Sequence, residues 1–185
     1  TLNKYSKAKC KLLQNQLKGQ FAFVKKDDLL IKKYIKFKKF NSKIIKINTK
    51  RFENFFNVKE NIYFSSETNK ENLSFVIEIS KKLRLKKNLL IEAIRNFNGL
   101  KYRQQIIFRK KYLTIINDSK STTFSSSMGV LKANNNIYWL LGGIYKKGDK
   151  FNLPKEYFSN IKAFIYGKNK NFFNKKLKGK IEYKN

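Results

Sequence analysis

Apolar residues recur at helical spacing in several stretches of the first half of the chain, and short apolar runs lie between these stretches. Apolar residues every three or four positions predict amphipathic helices, and short apolar runs predict strands. The predicted strands are Phe21–Val24, Lys43–Asn48 and Ile62–Phe64. The predicted helices are Lys4–Gln16, Asp27 to about Phe37, Asn69–Leu83 and Lys87–Asn96. In the third of these, Leu73, Val76, Ile77 and Ser80 are predicted to face the core. Residues Arg51–Val58 fit neither pattern.

After Asn98-Gly99, a typical helix stop signal, the chain becomes richer in strands. The predicted elements are a hairpin-like pair over Gln105–Phe108 and Tyr112–Ile116, a helix over Ser125–Lys132, and strands over Asn136–Leu141 and Ile161–Tyr166. Strands that alternate with helices predict an α/β fold with a mainly parallel sheet. We expect a domain boundary at Asn98-Gly99, which gives domains 1–98 and 99–185.

Three polar or glycine-rich segments follow predicted strands: Asn117–Thr123, Gly142–Asp149 and Gly167–Asn169. In open parallel sheets, ligands bind beyond the carboxyl ends of the strands, so these segments are candidates for a binding site. Loops after strands are polar in most proteins, and the pattern alone leaves that simpler interpretation open.

The chain has 185 residues and a formal net charge of +31, from 43 Lys and Arg against 12 Asp and Glu. Such a charge is typical of proteins that bind nucleic acid, ribosomal proteins among them. A genome rich in A and T gives the same composition, because Lys, Asn, Ile, Phe and Tyr have AT-rich codons. Lys outnumbers Arg 38 to 5 and is spread along the chain from Lys4 to Lys184, which favours composition bias.

The residue types exclude several functions for these 185 residues. Because the chain has no His and only Cys10, internal disulfides, Cys/His zinc sites and Ser-His-Asp catalysis are excluded. The longest apolar stretch, Ile137–Leu141, is far shorter than a membrane span. The first 20 residues are polar and rich in Lys, so we expect no signal peptide and a cytoplasmic protein.

The segment Asn117–Thr123, between a predicted strand and a predicted helix, contains several side chains that can bind a ligand. A carboxylate at Asp118 and an ammonium group at Lys120 can hold a ribose or a phosphate from two sides, and the amides of the helix N-terminus add affinity for anions. An Asp-Ser turn followed by a Thr helix cap is the structural alternative.

At these residues the chain resembles the Mur ligases, in particular the members that add D-glutamate. Those members carry Gly-Leu-x-His-Arg, Asn-Asp-Ser-Lys-Ala-Thr-Asn and Gly-Gly-x-x-Lys in this order. Here the matching segments are Gly99–Gln105, Asn117–Thr123, and Leu140–Gly143 with Lys146 and Asp149. Three ordered motifs are far more specific than a single glycine-rich loop.

The resemblance extends upstream and covers nearly the whole chain. Tyr5–Lys9 is similar to the family's Tyr-x-x-x-Lys helix, and Asn69–Asn72 to the family's Asn-x-x-Asn. The resemblance implies that 1–98 is the end of a central ATP-binding domain and that 99–185 is an incomplete Rossmann-like C-terminal domain. It also implies that the uridine-nucleotide domain, the phosphate loop and a metal-binding His lie before Thr1.

The activity implied by the resemblance is an ATP-dependent ligase. It adds D-glutamate to UDP-N-acetylmuramoyl-L-alanine through an acyl phosphate, as a monomer in its full-length form, with no nucleic-acid or membrane partner. The 185 residues alone are then expected to be inactive. A basic nucleic-acid-binding protein of ribosomal type and a Rossmann-like ligand-binding module without catalysis remain the alternatives.

The resemblance also assigns roles to individual residues. Lys9 is implied to be a carbamylated lysine that helps to hold Mg²⁺, and Asn69 and Asn72 to contact the adenine side of ATP. An ordinary solvated Lys9 and a helix-capping Asn69 are the alternatives.

In the second predicted domain, the resemblance implies that Arg103 and Lys120 approach the ATP phosphates and that Asp118 contacts the ribose. Thr122 and Lys146 are implied to contact the carboxylates of D-glutamate. The guanidinium group of Arg103 suits phosphate. The alternative for Lys146 is an ordinary solvated lysine in a loop.

The chain departs from the family pattern at four positions. Tyr102 stands where the family has His, Ser66 and Thr68 replace a Gly and a His, and Thr123 replaces the last Asn. These departures concern the adenine contacts and the position of Asn69 more than the fold.

Overall fold

In the computed structural model the described residues are 2–36, 38–50 and 55–185, without the side chains of Leu2 and Asn3. The chain forms two compact units. The first unit comprises Thr1–Asn61 and Asn69–Arg95, and the second comprises Ile62–Thr68 and Asn96–Asn185. The division into domains at Asn98-Gly99 stays a prediction.

The first unit contains two parallel strands and four α-helices within its described residues. In chain order these are α1 (Leu2–Gln14), β1 (Phe21–Lys25), α2 (Leu29–Lys36), β2 (Lys43–Ile47), α3 (Glu67–Lys82) and α4 (Lys87–Arg95), with a 3₁₀ turn at Val58–Glu60. The first two residues of α3 belong to the second unit. The Oδ1 atom of Asp28 accepts a hydrogen bond from the N–H of Ile31 and so starts α2. The predicted helix end at Phe37 lies outside the described residues, as do residues 51–54 of the ambiguous segment.

The core of the first unit is built on the buried faces of α1 and β1. Cys10, Leu13, Ala22 and Val24 are buried there, with α2 packed against them. On α3, Leu73, Ile77 and Ser80 are buried as predicted, whereas Val76 is 46% exposed. The prediction that Val76 faces the core was wrong, because it lies one position off the buried stripe.

The thiol of Cys10 should be protected from reagents in the folded chain. Its side chain is 4% exposed, and burial raises the pKa of the thiol, as does the charge of Asp28, while Lys38 lowers it. Because the thiolate is the reactive form, we expect labelling by Ellman's reagent to be about 100-fold slower than in guanidinium chloride. Cys10→Ser, which removes the sole thiol, is the blank. Equally fast labelling in both solvents would contradict the buried position.

The second unit contains a hairpin and a three-stranded sheet. Its elements are β3 (Gln105–Lys110), β4 (Leu113–Asn117), α5 (Phe124–Ala133), β5 (Ile137–Gly142), β6 (Ile161–Tyr166), α6 (Lys170–Leu177) and β7 (Glu182–Lys184), with 3₁₀ turns at Ile62–Ser65 and Lys155–Asn160. The sheet has the order β5-β6-β7 with both pairs parallel. The hairpin of β3 and β4 is antiparallel, as its sequence predicted.

An aromatic core joins α5, α6 and the three-stranded sheet. Phe124 contacts the rings of Trp139 and Phe151 at centroid distances of 6.2 and 5.3 Å. Leu177 and Ala163 are fully buried in the same cluster. Trp139 is the sole tryptophan of the chain, so its fluorescence reports on this unit.

The predicted α/β fold with mainly parallel strands is confirmed, since β1–β2, β5–β6 and β6–β7 are parallel pairs. The predicted strand at Ile62–Phe64 was wrong, because this segment is a 3₁₀ turn whose rings pack on Phe97. Among the described residues no helix is long and apolar enough to cross a membrane.

Candidate functional site

Asp118 connects two of the sequence motifs in the second unit. Its Oδ1 atom accepts a hydrogen bond from the N–H of Gln104 at 3.0 Å, and its Oδ2 atom accepts one from the Ser121 hydroxyl at 2.6 Å. The N–H of Lys120 donates to the carbonyl of Tyr102 at 3.1 Å. The Gly99–Gln105 motif and the Asn117–Thr123 motif therefore lie side by side, and we call this pair of segments the clasp.

The turn that carries Arg103 is strained. Its neighbours Tyr102 and Gln104 have φ of +65° and +48°, a left-handed conformation that costs about 1 kcal/mol or more for each non-glycine residue. The N–H of Arg103 donates to the carbonyl of Leu100 at 3.0 Å. Strain of this kind persists where surrounding contacts impose it, and it is concentrated at functional sites. Here it is found on both sides of the exposed Arg103, within the clasp.

Tyr63 is a residue of this region that the sequence did not identify. Burial raises the pKa of its phenol, and the charge of Asp118 acts in the same direction, whereas a hydrogen bond from the Leu100 backbone and the charge of Arg103 lower it. The ring of Tyr63 also lies where a Cβ atom of residue 99 would stand. The presence of glycine at that position is the sequence signal for such a close neighbour.

Asp149 ties the loop after β5 to the start of α5. Its Oδ2 atom accepts a hydrogen bond from the N–H of Phe124 at 2.8 Å. Thr123 and Ser126 form a capping box at the same helix end. The prediction that the amides of this N-terminus are open to an anion was therefore wrong for Phe124 and Ser126, whose N–H groups already have acceptors in the protein.

Removal of the Asp149 carboxylate should destabilise the second unit. We expect Asp149→Ala to lower the free energy of unfolding by about 1–2 kcal/mol, because the first amide of α5 loses a charged acceptor. Urea unfolding followed by Trp139 fluorescence measures this. The neighbouring exposed Lys150→Ala is the control and should change the free energy by less than about 0.5 kcal/mol. An equal effect of both substitutions would show that Asp149 is not a cap.

The loops after β5 and β6 meet at the carboxyl edge of the three-stranded sheet. Gly142 pairs with Tyr166, and a Cβ atom at Gly142 would stand 2.7 Å from the carbonyl oxygen of Tyr166. The Nδ2 atom of Asn169 donates to the carbonyl of Gly143 at 3.0 Å. Glycine at 142 is thus required by the close approach of the neighbouring strand.

The three polar segments predicted after strands are thus joined through Asp149 and Asn169. The expectation that all three follow parallel strands of one sheet was wrong for the first of them. Its strand, β4, belongs to the antiparallel hairpin and pairs with β3. Side-chain hydrogen bonds, rather than strand pairing, connect the clasp to the sheet edge.

The residues predicted to contact the ATP ribose, the ATP phosphates and D-glutamate lie in this region. Asp118 is half-buried in the clasp, while four others are exposed: Arg103, Lys120, Thr122 and Lys146. The ammonium group of Lys120 lies 5.8 Å from the centre of the Tyr102 ring. The carbonyl of Lys146 accepts a hydrogen bond from the N–H of Asp149 at 3.1 Å.

The remaining predicted residues belong to the first unit. Lys9 is exposed on α1, with its ammonium group 5.5 Å from the centre of the Tyr5 ring. Asn69 is 4% exposed on α3, and Asn72, three positions later, is exposed. Asn69 is thus packed into the unit, whereas Asn72 presents its amide to solvent.

The described residues contain no group of three His, Cys, Asp or Glu side chains that could hold a metal ion. Magnesium is commonly held by one or two carboxylates together with waters and substrate phosphates, and a carbamylated Lys9 would supply one such side chain.

Curated proteins similar to this chain are UDP-N-acetylmuramoylalanine–D-glutamate ligases. The protein of Wolbachia sp. subsp. Brugia malayi is 30% identical over 116 residues, and that of Rickettsia felis is 36% identical over 116 residues. The protein of Francisella tularensis strain SCHU S4 is 35% identical over 121 residues. These matches cover 62–63% of this chain but 23–29% of the relatives, so the chain spans about a quarter of their length.

None of the protein-family models compared with the chain matches it. Among solved structures, the UDP-N-acetylmuramate-alanine ligase of Thermotoga maritima is similar, with a TM-score of 0.44 and 19% identity over 62% of this chain and 28% of that protein. This likeness is too weak to bear on the fold.

Proposed function

We propose, since this chain belongs to the Mur ligase family, that it is part of a cytoplasmic ATP-dependent ligase that joins D-glutamate to UDP-N-acetylmuramoyl-L-alanine for peptidoglycan synthesis. The observation that carries the proposal is the clasp and its connections. Asp118 holds the two phosphate-side motifs together, and Asp149 ties them to the glycine-rich loop. The family's three motifs are therefore neighbours within one unit.

Arg103 and Lys120 are the proposed phosphate ligands. Both are exposed cations on opposite segments of the clasp. ATP would supply the phosphoryl group that activates the substrate carboxylate. Such transfers depend on positioning and on neutralisation of charge. The two cations supply the charge, and backbone hydrogen bonds of 3.0 and 3.1 Å fix the main chain at Arg103 and Lys120.

Asp118 has a double role in this proposal. Each of its carboxylate oxygens already accepts one hydrogen bond within the clasp. A carboxylate oxygen has two lone pairs, so each retains an acceptor site for a ribose hydroxyl. The bonds to Gln104 and Ser121 fix the carboxylate, which supports its use as an oriented acceptor.

Thr122 and Lys146 are the proposed contacts to the carboxylates of D-glutamate. Thr122 precedes the helix cap of α5 by one residue, and Lys146 is three residues before Asp149. Since Asp149 binds the N–H of Phe124, the two segments are linked close to both residues. An exposed hydroxyl and an exposed ammonium group suit a dicarboxylate.

In the first unit, Asn69 and Asn72 are the proposed adenine-side residues, and Lys9 is the proposed carbamylated lysine. The exposed amide of Asn72 supports a ligand contact, while the burial of Asn69 supports a positioning role on α3. No step proposed here is routed through a metal ion.

An isotope experiment tests the reaction class. UDP-N-acetylmuramoyl-L-alanine with ¹⁸O in its carboxyl group is incubated with ATP, D-glutamate and the gene product that carries these residues. If the carboxylate is phosphorylated before the amine attacks, one ¹⁸O passes to inorganic phosphate for each amide formed. Amide formation with unlabelled phosphate would overturn the acyl-phosphate route.

Nucleic-acid binding is the alternative that the charge of +31 supports. A dedicated nucleic-acid protein should keep nanomolar affinity for DNA or RNA at about 0.15 M salt. We expect weak, salt-sensitive retention in a filter-binding assay instead. Nanomolar affinity at this salt concentration would favour the alternative.

A further inference from the structure

A groove of about 310 Å³ lies in the first unit, where α2 packs beside the carboxyl ends of β1 and β2. One wall is apolar and consists of Val24, Ile31 and Ile35. The other lining residues are lysines of the strand ends and of α2. We call this cavity the basic groove. Its volume is at the lower end of the range for small-molecule sites.

The position of the groove follows from strand pairing. β1 and β2 are parallel, and Val24 is the register partner of Lys46. Lys26 lies two residues beyond Val24, and its N–H donates to the carbonyl of Ile47 at 2.8 Å. Since alternate residues of a strand share a face, Lys26 and Lys46 belong to the face that α2 covers. The carboxyl edge of parallel strands is where such folds bind ligands.

The lysines of the groove differ in their partners. Lys25 pairs with Glu71 at 2.5 Å, and Lys32 pairs with Asp27 at 3.4 Å. Within the described residues, Lys26 and Lys46 have no carboxylate partner. The groove therefore keeps two uncompensated ammonium groups next to an apolar wall.

We propose that the basic groove binds an organic phosphate, with Lys26 and Lys46 on the phosphate and Ile31 and Ile35 against the carbon-bearing part. Two ammonium groups beside one phosphate provide charge-assisted hydrogen bonds, and the apolar wall favours a ligand with a carbon skeleton over a bare anion. This proposal is independent of the ligase function, since it involves none of the residues assigned to that reaction.

The test uses the methyl groups of the groove, because a chain of charge +31 attracts anions at many places. Protein labelled with ¹³C at isoleucine methyls is titrated with AMP and with inorganic phosphate at pH 8 and about 0.15 M salt. We expect saturable shifts of Ile31 and Ile35, with a dissociation constant for AMP below about 1 mM. AMP should bind at least about three-fold more tightly than phosphate, because the wall contacts its nucleoside.

Charge-matched variants separate a site from general attraction. Lys26→Gln with Lys46→Gln should weaken AMP binding at least about ten-fold, whereas Lys4→Gln with Lys86→Gln, two exposed lysines outside the groove, should change it less than two-fold. The methyl signals of Ile44 and Ile47 show whether the strands remain folded. The proposal would be overturned by the absence of shifts at Ile31 and Ile35, or by an equal loss of AMP affinity in both double variants. Equal affinity of the protein for AMP and for phosphate would also overturn it.

Discussion

Lys120→Ala should lower the kcat of amide formation by about 10²–10³-fold in the gene product that carries these residues, because a positioned cation at a transferring phosphoryl group is worth several kcal/mol. The loss should appear mainly in kcat, since charge develops as the phosphoryl group is transferred. Steady-state release of ADP, coupled to amide formation, is the measurement.

Lys101, which lies near the same Tyr102 ring as Lys120, provides a matched control. The ammonium groups of Lys101 and Lys120 lie 5.2 and 5.8 Å from the centre of this ring. Lys101→Ala removes the same charge from the same neighbourhood, but Lys101 has no proposed contact with phosphate. We expect it to change kcat less than about three-fold, as for an exposed charge that contacts no ligand. Equal losses in the two variants would mean that only the general field of the region matters.

Gly99→Ala should destabilise the second unit by about 3 kcal/mol, the largest effect on stability that we expect. Gly99 has a φ of +85°, and a Cβ atom there would stand 2.6 Å from the ring of Tyr63. The left-handed backbone and the clash with a half-buried ring each cost about 1–2 kcal/mol. Urea unfolding followed by Trp139 fluorescence measures the sum.

Gly167→Ala isolates the backbone contribution. Gly167 has a φ of +88°, but apart from its chain neighbours no residue comes within 4 Å of its added Cβ, so about 1 kcal/mol should be lost. Combining Gly99→Ala with Tyr63→Ala should then relieve the clash and cost less than the two single substitutions together. Equal destabilisation by Gly99→Ala and Gly167→Ala would show that the ring of Tyr63 moves aside without cost.

Local patterns predicted most of the helices and strands of this chain. Parallel strands with one buried face, such as Phe21–Lys25 and Ile161–Tyr166, are short apolar runs between turn residues, so their positions are clear. The Ile62–Phe64 run is also apolar but forms a 3₁₀ turn. Its conformation is set by ring packing on Phe97, a residue more than thirty positions away, which local periodicity cannot reveal.

The clasp was predictable in its residues but not in its contacts. The types and order of Asp118, Lys120 and Arg103 indicated phosphate chemistry from the sequence. The bond between Asp118 and Gln104 depends on two left-handed residues, and the bond between Asp149 and Phe124 spans 25 positions. Such contacts arise from the packed unit, so a linear pattern of residue types does not specify them.

The proposed function makes this chain part of a ligase that adds D-glutamate to UDP-N-acetylmuramoyl-L-alanine. The most direct measurement incubates the gene product that carries it with that nucleotide, ATP and radiolabelled D-glutamate, and separates the products by chromatography. We predict ATP-dependent labelling of the nucleotide, with one ADP released for each amide, and no labelling by L-glutamate. Release of ADP without amide, or no labelled nucleotide from folded protein, would contradict the claim.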